Sequence, residues 1–184
     1  MTDDDAAPIR LKPGDPHYEF PKEVHNLLVL ANTTNITLSG MADTKASILM
    51  GASFVVFSMS IGDLAAGKAT FPLLVLTLFS FVATVFGVLT VRPNKMPDTP
   101  IPIEKANILF FGSYTNAPRD DYVDEVIKVL SSEEETYRRL AKDLYDHGLI
   151  LRNDKFRWLY WSFSAFLIGM LVTAAAVTIE LVFR

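Results

Sequence analysis

Apolar positions are unevenly spread along this chain. From Phe20 they recur as Phe20, Val24, Leu27, Ala31, Thr34, Leu38 and Met41, at alternating spacings of four and three, which is one stripe of a helix. The spacing predicts a helix from about Pro21, whose missing N–H suits a first turn. No breaker separates this stripe from residues 46–62, a run of 17 without a charge. At ~1.5 Å per residue such a run spans about 25 Å, the short end for crossing a bilayer. A buried soluble helix would explain that run standing alone, but it does not stand alone. After a polar turn holding Gly67, residues 71–91 give 21 uncharged positions, and residues 158–183 carry a single charge, Glu180, near their end. Trp158, Tyr160 and Trp161 gather at the start of that last run, where amphipathic rings favour the headgroup layer.

Between the second and third runs the pattern is that of a water-soluble helical region. Arg92 to Pro102 is a proline-rich exit, and residues 104–111 are expected to form a short helix. Tyr122, Val126, Val129 and Leu130 make an apolar face on a helix whose first turn holds Pro118, Asp120 and Asp121. Ser131 with Glu134, or Ser132 with Glu135, reads as a capping box opening a long helix. Its stripe, Tyr137, Leu140, Leu144, His147 and Leu151, runs without a proline into the last apolar run. Residues 1–19, with Pro8, Pro13, Gly14 and Pro16 among charges and no periodic face, are expected to be a disordered tail.

The fold class expected is an all-α membrane protein: three transmembrane helices with a cytoplasmic helical bundle formed by extensions of the first and third. The corresponding segments are a cytoplasmic tail (1–19), a cytoplasmic amphipathic helix (20–45), spans at 46–62, 71–91 and 158–183, and a cytoplasmic helical region (92–157). A mean hydropathy of +0.26 agrees, because the charged segments cannot supply it. Lys and Arg set the orientation: residues 1–45 hold four and 92–157 hold eleven, against Lys68 alone in the turn and Arg184 at the end. Positive loops stay inside, so the N-terminus and middle region are expected in the cytoplasm and the C-terminus outside. The acidic opening lacks an apolar segment of the kind that makes a cleaved signal, so the first span is expected to do the targeting.

The net charge of −4 offers no basic field for nucleic acid, and the absence of cysteine excludes disulfides and thiolate chemistry. His17, His25 and His147 lack the spacing of metal ligands, and neither a phosphate-binding glycine loop nor a nucleophile elbow is present. Neither catalysis nor a cofactor is expected. The spans carry only Ser and Thr at depth, which disfavours a dedicated channel or transporter.

What remains are binding candidates, each with a plainer alternative. Asp43 and Lys45 lie where the first stem meets the membrane. There Lys45 would hold a ligand phosphate, or would simply reach the headgroups with Asp43 in a local salt bridge. Arg138, Arg139 and Lys142 follow Glu133, Glu134 and Glu135 at helical spacing, a pattern that solvated pairs explain better than an anion site. Asn107, Phe110, Phe111 and Tyr114 place aromatics beside an amide, suiting either a stacked base or core packing. Small residues at four-residue spacing (Ser47 and Gly51, Ser58 and Gly62, Ala83 and Gly87, Ala165, Gly169 and Thr173) fit self-association and intrachain packing equally.

The order of three elements resembles a known family. Ala42-Asp43-Thr44-Lys45-Ala46-Ser47-Ile48-Leu49 leads into the first span, followed by Asn107-Ile108-Leu109-Phe110-Phe111, then Asp143-Leu144-Tyr145 and Lys155-Phe156-Arg157 before the last. Over about residues 22–182 this is similar to the transmembrane effectors of the pyrimidine cyclase system for antiphage resistance (Pycsar). The resemblance implies a bacterial inner-membrane protein that performs no chemistry. Such a protein senses a cyclic pyrimidine mononucleotide (cUMP or cCMP) from a partner cyclase, assembles as a homo-oligomer and impairs the membrane, causing abortive infection. Asp43, Lys45 and Asn107 are its ligand-binding candidates because they match the motifs. The competing expectation is a non-toxic membrane scaffold or anchor that binds a protein through the cytoplasmic bundle.

Overall fold

The computed structural model describes residues 20–93 and 102–183; the tail expected at 1–19 lies outside them. All regular structure among these residues is helical: α1 (Lys22–Ala65), α2 (Phe71–Val91), a 3-10 turn (Ile103–Lys105), α3 (Phe111–Tyr114), α4 (Arg119–Leu130), α5 (Glu133–Ile150), a π-helical segment (Leu151–Phe156) and α6 (Arg157–Val182). Three continuous helical stretches, Glu23–Ala65, Phe71–Val91 and Glu133–Val182, are long and apolar enough to cross a membrane. The described residues divide into two compact units, 20–32 with 102–145 and 33–93 with 146–183.

The second unit is built around small residues. α1 and α2 run antiparallel, joined by a turn in which Gly67 takes φ +80°, a left-handed conformation that costs glycine little. The Ser53 and Thr84 hydroxyls meet at 2.9 Å across this pair. α6 runs antiparallel to α2: Phe86 stacks on Trp158 at 5.7 Å, Ser162 donates to the Ala83 carbonyl at 2.7 Å, and Gly169 lies against Phe79. A Cβ on Gly169 would stand 2.3 Å from that of Phe79. Buried positions include Ala42, Ala46, Leu49, Ser53, Ser60, Thr77, Ser80, Ala83, Gly87, Thr90, Leu151, Leu159, Ser162 and Gly169. The outer surface carries the bulk, with Ile48 and Met59 each more than two-thirds exposed. Small residues inside and large apolar ones outside invert the soluble pattern and match helices that pack in lipid.

The small residues divide between the helices. Ala83, Gly87 and Gly169 are consumed by packing within the chain, whereas Ser47, Gly51, Ser58 and Gly62 on α1 are exposed. A Cβ at Gly51 or Gly62 would meet nothing.

The first unit is held by polar contacts. Ser132 is the helix cap: its Oγ accepts the Glu135 N–H at 3.3 Å, but the reciprocal half of the capping box is not made, because the Ser132 N–H goes to the Val129 carbonyl and Glu135 pairs with Arg139. Residues 104–111 do not form the expected helix. After the 3-10 turn, Asn107 breaks the run by accepting the Leu109 N–H on its own Oδ1 and giving its backbone N–H to Ser113 Oγ, each at 3.0 Å. Tyr122 caps this hook from α4 by donating to the Ile108 carbonyl at 3.3 Å. On α4, Val129 is buried but Leu130 is exposed, and the unexpected core residue is Glu125, only 5% exposed.

Arg139 answers that buried acid. It donates to Glu125 at 2.8 Å and to Glu135 at 2.9 Å, and its remaining N–H groups reach the Glu104 and Ala106 carbonyls. The expectation of a solvated pair holds for Arg138, which meets Glu134 at 2.6 Å, but not for Arg139. A guanidinium has donors enough to satisfy a buried carboxylate and two carbonyls together.

Candidate functional site

The three nominated residues divide between the units. In the second, the Ala42–Ala46 turn of α1 buries both alanines beside Leu159 and partly buried Val91, because positions four apart share a face. Asp43 lies on the flank of that face and Lys45 points outward. Two residues apart on a helix, they cannot pair. Asp43 Oδ2 instead accepts Lys155 Nζ at 2.6 Å, which corrects the local salt bridge expected with Lys45. Asp43 Oδ1 is buried and has no hydrogen-bond partner among the described residues. Lys155 belongs to the π-helical segment, where hydrogen bonds reach five residues rather than four and one extra residue is accommodated.

Asn107 is the third nominee, and it belongs to the first unit. Its Nδ2 donates at 2.8 Å to Oδ1 of Asp143, which is buried on α5. With its backbone N–H and Oδ1 also engaged, Asn107 fixes the hook rather than presenting a free amide. The aromatic wall is partly realised. Phe110 and Phe111 tilt together at 5.3 Å with Phe111 largely exposed, while Tyr114 stacks on Tyr122 with centroids 4.6 Å apart. Tyr114, Thr115, Ala117, Arg119 and Tyr122 line a cavity of about 250 Å³.

The motif residues therefore interlock: Asp43 with Lys155, and Asn107 with Asp143. Lys155 and Asp143 stand in the quoted motifs, yet nothing local distinguishes them from other charged residues. Only contact across 112 or 36 residues of chain reveals their part. Among the described residues no cluster of His, Asp or Glu could hold a metal ion.

The family model for the Pycsar effector protein domain matches residues 26–182, nearly the whole chain. The chain belongs to the Pycsar effector family. It is an antiphage defence effector in that general sense, and the family is not a known catalytic one. Family membership links it to a cyclic-nucleotide system and to a membrane, and the three apolar helices fit a membrane location. No curated protein and no solved structure is matched by the chain.

Proposed function

We propose that this Pycsar effector senses a cyclic pyrimidine mononucleotide, assembles, and impairs the bacterial inner membrane, ending the infection with the host cell. The observation that carries the reading is the family match over residues 26–182, which includes all three apolar helices. In this reading α2 and the apolar portions of α1 and α6 span the bilayer, while the residues before the first span and between the second and third form a cytoplasmic bundle that receives the signal. The fifteen Lys and Arg of those segments, against two on the other side, support a cytoplasmic N-terminus and an outer C-terminus.

The nominated residues take separate parts. Asn107 shapes the sensing unit; Lys45, which makes no ion pair among the described residues, keeps its ammonium for an anionic group; and Asp43 ties α1 to the π-helical segment through Lys155. Assembly uses the open face of α1, where Ser47, Gly51, Ser58 and Gly62 leave room for another backbone. A nucleotide drives assembly only by binding the assembled state more tightly.

The test is direct. Detergent-solubilised protein should shift to larger species with cyclic UMP or cyclic CMP, and the same nucleotide should release dye from liposomes that contain it. If neither nucleotide alters size or leakage, the sensing reading fails and the scaffold reading replaces it.

A further inference from the structure

We infer that the cavity formed by Tyr114, Thr115, Ala117, Arg119 and Tyr122 is the nucleotide site, taking a single-ring base against the tyrosines with its phosphate at Arg119. The inference rests on the sensing function proposed above and says where in the chain sensing occurs.

Chemistry singles out this place. A mononucleotide offers a flat aromatic ring and one negative charge, and its site must supply a π-face and a cation that is not already spent. Tyr114 and Tyr122 are stacked at 4.6 Å with 26° between their planes, so each covers one face of the other and an outer ring face is left for a base at the cavity they line. Base stacking of this kind is sequence-tolerant and contributes roughly tenfold or more in affinity per base. Arg119 is exposed and makes no ion pair among the described residues, whereas Arg138, Arg139, Lys128 and Lys155 are all engaged by carboxylates. Among the described residues Arg119 is the only charged one of the lining, and Asp120 and Asp121 are not part of it.

Arg119 opens α4, but Asp120 and Asp121 follow it in the first turn and offset the positive end of the helix, so the guanidinium is the cation offered at the cavity. The volume, about 250 Å³, lies just below the ~300 Å³ at which pockets for drug-sized ligands begin. It has room for one base, with sugar and phosphate at the mouth.

The walls are fixed before any ligand arrives. Tyr122 is tied to the Ile108 carbonyl and Thr115 Oγ1 donates to the Phe111 carbonyl at 2.6 Å. Ser113 is held by the Asn107 backbone. Asn107 is thus a positioning residue that sets the hook from which Tyr114 projects, which accounts for a motif asparagine whose amide is already spent on Asp143.

The experiment titrates cyclic UMP, cyclic CMP and cyclic AMP into the detergent-solubilised full chain and its Arg119→Gln, Tyr114→Leu and Arg138→Gln variants. Wild type should prefer the pyrimidine nucleotides. Arg119→Gln and Tyr114→Leu should each weaken binding about tenfold or more, and Arg138→Gln should stay within about twofold. Ultraviolet crosslinking of wild type with cyclic UMP, which needs no folded variant, should label the peptide holding Tyr114 and Tyr122. If wild type binds none of the nucleotides and is not labelled, the sensing function itself fails and this site with it. If wild type binds but the two cavity variants stay within about twofold and the label falls elsewhere, this site is overturned while sensing stands.

Discussion

The two units of this chain solve the same problem, packing helices together, with opposite materials. The unit of residues 33–93 and 146–183 hides alanine, glycine, serine and threonine and turns its large apolar side chains outward, and apart from the Asp43–Lys155 pair its interhelical polar contacts run between hydroxyls or from a hydroxyl to a carbonyl. The unit of residues 20–32 and 102–145 hides Glu125 and Asp143 and binds each with a matched donor from a distant part of its chain. The difference follows from the solvent. In water the hydrophobic effect drives association and a few buried charges are tolerated where partners saturate them. In lipid, outward-facing leucines gain nothing by hiding, so close backbone approach and short hydrogen bonds must hold the helices.

That contrast can be broken at its strongest point first. Arg139→Leu strands Glu125 in the interior with only exposed Lys128 to answer it, and should cost about 3 kcal/mol. Thermal unfolding in detergent would show this as a large drop, and an unchanged midpoint would mean the buried pair does not hold this unit.

Glycine substitutions should sharpen the contrast within the lipid-like unit. Gly169→Ala drives a methyl into Phe79 and should cost about 1–3 kcal/mol, while Gly51→Ala meets open space and should leave thermal stability unaltered. Equal effects in the same melts would erase the distinction between a spent and an open small-residue face.

Asp43→Asn removes the charge that pairs with Lys155, a contact partly open to solvent, so its stability effect should stay within about 1 kcal/mol. Measured beside it, nucleotide-triggered dye release from liposomes should fall far more than stability does if the pair links α1 to the π-helical segment in action. The smallest effect is expected for Ser53→Ala. Interhelical hydrogen bonds in membranes contribute ~0.6 kcal/mol on average, so a shift in the same melts should be barely resolved.

Much of this arrangement is legible along the chain because its signals are local. The four-and-three spacing from Phe20 marks the stem of α1, uncharged runs mark the apolar helices, and a serine three residues before a glutamate marks the start of α5. The failures also share one cause. Residues 104–111 read as a helix, but Asn107 diverts the backbone because Ser113 and Asp143 are there to receive it. Arg139 reads as a surface cation like Arg138 one position earlier, yet the 100° turn between neighbours on a helix sends one to solvent and the other to Glu125.

By itself, then, the sequence determined the helical class, the three apolar stretches, a serine cap at Ser131 or Ser132 and the family, since each depends on residues close in the chain or on their order along it. Tertiary structure alone decided which glycines are spent and which are open. It also paired Asp43 with Lys155 rather than Lys45, and placed Tyr122 and Arg119 beside Tyr114 around one cavity. Periodicity assigns a residue to a face, but the atoms opposite that face come from chain tens of residues away, and only packing selects among them.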